Sequence, residues 1–389
     1  LIIENLAGND SLITAQAAIE FCYISNPDGA IRWLFPKSLR SPMFLNFYST
    51  SSIRSKFLSF FIKLTYFLRI SGMVNSGKLR IKIQRGSVLG KILNKYEYDS
   101  FSIFTGTIGE NRKAIIELHK SRKTFVFIKI PITESSKELV KNEIETLNLL
   151  QSFEFNKMIV PKLLDRNENS IAELENIKPK RYNQNTELNS LHIDALNELY
   201  ANTYKSLAWK ELGVLQFAKD NIESLIKKDG IGNKSFEREA RFLSQKNLLL
   251  IEFIEESDKL VTTSISHGDF TPWNMYLSKE KLHLFDWELS ENEMPLMYDL
   301  FHYVFQVNIM IRHRSYQEIQ DALQNVLKMK NIQLMLKKYD IDFNKNYTFY
   351  LVYTISYYLN KYANQNKLHD QVFWMLKVWD SAISDLLNK

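Results

Sequence analysis

Three runs between Phe101 and Ile130 confine the fold more than any other part of this chain. FSIFTG, AIIELH and TFVFIKI are rich in β-branched and aromatic residues, and the turn-like GENRK and KSR lie between them. They read as three successive strands. Pro131 closes the third, and a helix is predicted from about Ser135 to Gln151. Two more strand-like runs follow, around Pro161 to Leu164 and Ser170 to Leu174. From Thr186 to Asp258 the pattern is helical, with a break at Gly230 and Gly232, and helices resume from Met297 to the end. Between them, Ser264 to Leu289 reads as a short island of strand and loop. The expectation is an α+β chain whose front builds a sheet and whose rear is helical, without internal repeats.

A length of 389 residues suits two domains or one large two-lobed unit. Hydrophobic content of 45% against 24% charged residues, with few Gly and Pro, excludes collagen-like, low-complexity and linker-dominated chains. The single cysteine, Cys22, excludes an internal disulfide and a thiolate metal cluster, and a reducing compartment fits. No secretory signal is legible, since the first basic residue is Arg32 and no apolar run opens the chain; it begins on Leu1, which leaves a truncated start open.

Charge is unevenly spread. Residues 29–96 contain no Asp or Glu and carry 13 Lys or Arg, whereas the remainder holds 37 basic residues against 44 acidic ones. Within this basic stretch, RSKFLSFFIKLTYFLRI (54–70) has a helix-like composition too short and too charged to span a bilayer. Two readings stay open: a helix lying in a membrane interface, or one docked on the neighbouring domain. LRIKI then alternates like a strand, and GSVLGKILNKY reads as a helix. Gly72 to Lys78 matches G-x-x-x-x-G-K, but Leu79 replaces the hydroxyl residue that a P-loop needs for Mg²⁺. The predicted order is helix then strand rather than strand then helix, so the segment reads as a linker.

The segment carrying chemistry is SHGDFTPWNMYL followed by KLHLFDWE. His267, Asp269 and Asn274 form H-x-D-x-x-x-x-N, and Asp286 follows twelve residues after Asn274 at the end of an apolar run. Asp residues near turns commonly only shape the loop. Here four residue types at two spacings stand together. No G-x-S-x-G, no H-E-x-x-H and no cysteine beside a histidine support a hydrolase reading. Upstream, Lys129 sits on a strand face with Phe125 and Phe127, and Glu143 interrupts the helical stripe of Val140, Leu147 and Leu150. Each charge in such a place needs a reason: an opposite charge as partner, or a snorkelling lysine and a glutamate at the stripe's edge.

This pattern resembles the catalytic loop and metal-binding aspartate of the protein-kinase-like phosphotransferases, and is most similar to the aminoglycoside phosphotransferase and choline kinase branch, with its HGDxxxxN and D-W-E motifs. The resemblance implies a small antiparallel N-lobe sheet with one main helix, and a large helical C-lobe. Its span implies a basic N-terminal extension over 1–96, an N-lobe over 97–177, and a C-lobe with the catalytic loop over 178–389. It implies that Asp269 accepts the acceptor hydroxyl's proton, that His267 braces the loop, and that Asn274 and Asp286 hold Mg²⁺ through oxygen. Lys129 paired with Glu143 would position phosphates of ATP or another NTP, beneath a loop containing Gly106 and Gly109 that lacks the full G-x-G-x-x-G. Residues 173–177 would form the hinge for adenine, and Asp299 would be structural.

The expected function is transfer of a nucleotide γ-phosphate to a hydroxyl of a sugar, glycan, aminoglycoside or amino-alcohol. The alternative is a non-catalytic nucleotide-binding scaffold at a membrane surface. Trp287, Tyr298, Trp374 and Trp379 are candidates for stacking on the acceptor or for core positions. Residues 29–96 suit an anionic membrane surface as partner, whereas no nucleic-acid module is recognised. The expected location is the cytoplasm, with a peripheral place at the inner membrane face.

Overall fold

The computed structural model describes residues 6–8, 18–26, 28–46, 53–165, 170–183, 186–228, 230, 233–365 and 368–388, with side chains omitted for 53–56. The chain divides into two compact units, Leu1–Ser152 with Pro161–Lys178, and Phe153–Val160 with Pro179–Lys389. No helix among the described residues is long and apolar enough to cross a membrane.

The first unit is built on a seven-stranded sheet. Its strands are β1 (Ile19–Ser25), β2 (Ile31–Pro36), β3 (Gly77–Ile81), β4 (Ser100–Phe104), β5 (Lys113–Lys120), β6 (Lys123–Pro131) and β8 (Ala172–Glu175), in the order β3-β1-β2-β4-β5-β6-β8. Every pair is antiparallel. Alternation along each strand divides apolar side chains between two cores. Phe21, Leu34, Ile103, Ile116 and Ile128 face one, which Leu89 and Ile92 of helix α2 (Val88–Lys95) cover. Cys22, Trp33 and Phe35 face the other, where Ile62 and Tyr66 of helix α1 (Ile53–Phe67) dock. Helix α3 (Glu134–Leu150) starts at a capping box between Thr133 and Ser136, and buries Val140, Leu147 and Leu150.

The second unit is mainly helical: α4 (Ser190–Thr203), α5 (Gly213–Lys227), α6 (Lys234–Glu255), α7 (Tyr298–Gln306), α8 (Tyr316–Leu327), α9 (Lys330–Lys338), α10 (Phe343–Ala363) and α11 (Asp370–Leu387). Two small sheets interrupt the helices. One orders β13 (Glu291–Pro295), β10 (Leu260–Ser266) and β9 (Lys205–Ala208); the other orders β11 (Met275–Leu277), β12 (Leu282–Leu284) and β7 (Met158–Ile159). Both present loops to the region around Asp269.

The α+β composition agrees with the sequence reading. The boundary drawn at 96/97 falls inside a continuous sheet. β2 pairs with β4, so residues 19–36 and 77–81 extend the same sheet rather than stand apart. The helix at 54–70 docks through Ile62 and Tyr66 on this unit's own core. Pro161 to Leu164 makes only an isolated bridge from Leu163 to Leu174, and the strand of that region is the two-residue β7. Of the two glycines marking the break before α6, Gly230 adopts φ +70 and Gly232 lies outside the described residues.

Burial keeps two histidines neutral. His119 on β5 sits between the hydroxyls of Ser102 and Thr124, each 3.1 Å away, and His192 lies in the first turn of α4. Desolvation lowers each from 6.5 to about 4. The unfolded chain protonates these rings near the ordinary value, so their contribution is complete above about pH 6.5 and is lost as pH falls toward about 4. We expect a loss on the order of 2–3 kcal/mol for each ring over that interval. Urea unfolding across this pH range should show it, and His119→Gln should flatten the dependence; an unchanged slope in that variant would refute the assignment.

Candidate active site

Strand β10 delivers the chain into a loop whose backbone is fixed by one buried carboxylate. Asp299, in the first turn of α7 and 1% exposed, accepts hydrogen bonds from the His267 N–H at 2.8 Å and the Gly268 N–H at 3.0 Å. Gly268 has φ +80, and a Cβ there would lie 1.8 Å from the Leu289 carbonyl oxygen, so only glycine lets the loop pass. His267 is fully buried. Its Nδ1 accepts the Asp269 N–H at 3.2 Å and its Nε2 donates to the Phe285 carbonyl at 2.9 Å, while its ring packs on Trp287 with centroids 4.7 Å apart. With both nitrogens spoken for, His267 ties the loop to the chain just before Asp286 and is not placed to shuttle protons.

These ties aim the Asp269 side chain. Its Oδ2 accepts the Asn274 amide at 2.8 Å, and its Oδ1 lies 3.2 Å from His302 Nε2. The side chain keeps 27% of its exposure. Burial alone would raise the carboxyl, but the hydrogen bond and charge of His302, with a further lowering from His267, outweigh it, and the net effect holds Asp269 below its ordinary value even though the Asp286 charge opposes this. Two phenols of α10 also feel it: burial first, then the Asp269 charge, pushes Tyr357 up to about 12 and Tyr358 well above its ordinary range. Both stay protonated at neutral pH.

The hairpin β11–β12 brings Asn274 and Asp286 together. Met275 pairs with Leu284, and the Phe285 N–H donates to the Asn274 carbonyl at 3.0 Å, so Asp286 emerges beside Asn274. Asp286 adopts φ 69, ψ 59, a left-handed conformation that Asp tolerates better than most residues. The Asn274 amide nitrogen is engaged twice, by the Asp269 carbonyl at 3.0 Å and by its carboxylate. The amide oxygen is the other polar atom of the side chain of Asn274, a residue 5% exposed. An amide oxygen and a carboxylate are hard oxygen donors of the kind that Mg²⁺ takes.

In the first unit, Lys129 and Glu143 form a bidentate pair. The Lys129 Nζ lies 2.7 Å from each Glu143 carboxylate oxygen, with Lys129 7% exposed and Glu143 fully buried. Lys129 is held in β6 between Ile115 and Ala172, and Glu143 comes from the middle of α3. Gly106, with φ +76, cannot carry a Cβ, which would meet the Lys113 carbonyl oxygen at 2.2 Å. A Cβ at Gly109 would meet nothing within 4 Å, so the two glycines are not equivalent. Their loop is anchored by Arg112 Nε donating to the Thr105 carbonyl at 3.1 Å and by Thr133 donating to the Glu110 carbonyl. The 173–177 segment stays tied to β6, since the Asn176 N–H donates to the Phe125 carbonyl at 3.0 Å.

Among the aromatic candidates, Trp287, Tyr298 and Trp379 are core residues, with Trp287 donating to the Leu284 carbonyl at 3.1 Å, and Trp374 is half-buried. The sequence reading passed over His302, Tyr357 and Tyr358. The available signal for His302 was its +3 position after Asp299, which puts both on one face of α7.

No protein-family model matches the sequence, and no curated protein matches it. Solved structures similar to the chain include the ADP-bound aminoglycoside phosphotransferase APH(2'')-Ib, at 12% identity over 76% of this chain and 95% of that one, with a TM-score of 0.43. The amicoumacin kinase hAmiN in complex with AMP-PNP and Ca²⁺ is similar at 13% identity over 76% and 92%, with a TM-score of 0.46. A glucosamine kinase is similar at 10% identity over 70% and 75%, with a TM-score of 0.43.

The His302 contact is open to direct test by ¹³C-carboxyl NMR of the folded protein. Asp269 should titrate below an ordinary aspartate, and His302→Ala should move it upward while the Asp299 contacts keep the loop folded. An Asp269 resonance that titrates identically in both proteins would remove His302 as the cause.

Proposed function

We propose that this protein is an ATP-dependent phosphotransferase acting on an alcohol group. The observation that carries the reading is the carboxylate of Asp269, held below its ordinary value and gripped at both oxygens by Asn274 and His302, in a loop whose Asn274 carbonyl accepts the N–H of Phe285, the residue before Asp286. Phosphoryl transfer needs little covalent help from protein groups. What it needs is an oriented hydroxyl and compensation of charge on the transferring group.

In this reading, Asp269 orients the acceptor hydroxyl and takes its proton as the hydroxyl oxygen bonds to the γ-phosphorus, and the bond to the nucleoside diphosphate breaks. His302 and Asn274 keep the carboxylate in position, and His267 holds the loop against the chain preceding Asp286. Asn274 Oδ1 and Asp286 are the oxygen donors for Mg²⁺. When bound, the cation supplies charge neutralisation to the phosphate oxygens. Lys129, oriented by Glu143, contributes an ammonium for phosphate, and the loop through Gly106 contributes backbone N–H groups. The acceptor is a hydroxyl compound of the sugar, glycan, aminoglycoside or amino-alcohol kind.

Thermal shift with ATP and Mg²⁺, followed by an acceptor screen that reads ADP release, tests this. Wild type should bind nucleotide and turn over on at least one hydroxyl compound. Asp269→Asn should lose about 10²- to 10⁴-fold in turnover while still binding nucleotide. Nucleotide binding without turnover on any acceptor would favour a non-catalytic scaffold, and no nucleotide binding at all would end both readings.

A further inference from the structure

Helix α1 is covered on one side only. Ser59, Ile62, Thr65 and Tyr66 are buried against the core of Cys22, Trp33, Phe35 and Phe44. At 100° per residue the opposite side gathers Phe57, Phe60, Phe61, Leu64 and Phe67 into one face, which Leu68 extends in the turn just past the helix end. All six are exposed, with Phe67 at 82%, Phe57 at 70% and Phe60 at 64%. Scattered apolar residues on a surface need no explanation, but six large ones on a single helix face do.

The charge around this face is predominantly positive. Lys63 and Arg69 are exposed on α1 and immediately after it, and residues 29–96 hold no acid. On β3, Lys78 is in register with Cys22 and Arg80 with Glu20, so both project from the sheet face that α1 covers. The one carboxylate on strands β1 to β3 is Glu20, and it is occupied by Lys37 at 2.8 Å and Lys78 at 3.9 Å. A second copy of this chain docking through the same face would set these cations against one another. An anionic lipid surface complements them.

We propose that α1 docks this protein on an anionic bilayer, its phenylalanine face entering the boundary between headgroups and acyl chains while Lys63, Arg69, Lys78 and Arg80 meet the phosphates. The helix does not cross the bilayer. Docking belongs to the first unit alone and does not depend on nucleotide.

Co-sedimentation of the full chain with phosphatidylcholine vesicles, with and without phosphatidylserine, tests this. Binding should need the anionic lipid and weaken with salt. Phe60→Asp with Phe67→Asp, and separately Lys63→Glu with Arg69→Glu, should each reduce partition on the order of tenfold or more, with melting temperature unchanged. Should the acidic variants fold poorly, Phe60→Trp gives an independent readout, since bromolipid should quench the new tryptophan. The proposal is overturned if wild type stays in the supernatant with anionic vesicles, if the Phe60→Asp, Phe67→Asp protein pellets like wild type, or if bromolipid leaves the fluorescence of the Phe60→Trp protein unchanged. It is equally overturned if light scattering finds a stable dimer that those substitutions dissolve.

Discussion

A carboxylate withdrawn from water stays ionised only where neighbours replace the solvation it has lost, and the loop between β10 and β11 is organised around that condition at Asp269. Two donors, from Asn274 and His302, take its two oxygens. Neither donor could be aimed without Asp299, whose carboxylate fixes two successive backbone N–H groups at the start of the loop. Asp299 and His302 lie one turn apart on α7, so the helix that sets the loop's backbone also sets the contact to the Asp269 side chain. This coupling makes Gly268 obligatory, because the loop can reach Asp299 only by passing against the Leu289 carbonyl.

The spacing between Asn274 and Asp286 has a geometric meaning. Three residues of β11, the turn of Ser278 to Lys281 and three residues of β12 lead out and back, so that Phe285 returns to hydrogen-bond Asn274. Changing the register of this hairpin by one residue would reverse the faces of its side chains and break the Phe285 N–H bond to the Asn274 carbonyl that sets where Asp286 begins. The motif in the sequence is therefore a record of hairpin length. The left-handed backbone at Asp286 then turns the chain sharply into the 3-10 turn of Trp287–Leu289, which buries Trp287 beneath His267.

Much of this was legible because charges stood out against a pattern. Lys129 and Glu143 broke apolar stripes on a strand and a helix, and the structure pairs them. His302 was harder to read for the opposite reason: all nine residues of α7 are buried, so apart from its spacing from Asp299 YDLFHYVFQ has no polar face from which a histidine could depart. The same holds for β2, where Trp33, Leu34 and Phe35 are buried on alternating sides and the period of two disappears. β9 and β13 failed differently. They are short, KSLA and ENEMP, and largely polar at the margins of their sheet, so neither length nor composition marks them as strands. The extension drawn over residues 1–96 followed where the resemblance begins and the basic run ends, and charge reports what faces solvent rather than which strand is a neighbour.

The Lys129–Glu143 pair is the hardest feature to justify on stability alone. Taking both ions out of water carries a desolvation cost that their attraction repays only with good geometry, and well-packed apolar residues in such places commonly serve a core as well or better. The pair nevertheless occupies positions whose neighbours are Ile115, Ala172, Val140 and Leu147, all of them apolar and buried. Its bidentate geometry fixes the ammonium nitrogen in direction and leaves the lysine stem little rotamer freedom. A cation restrained to that degree gains nothing for folding that a leucine would not supply. What it gains is a fixed positive charge, and a fixed positive charge is useful where a phosphate oxygen has to be met at a defined place without reorganisation.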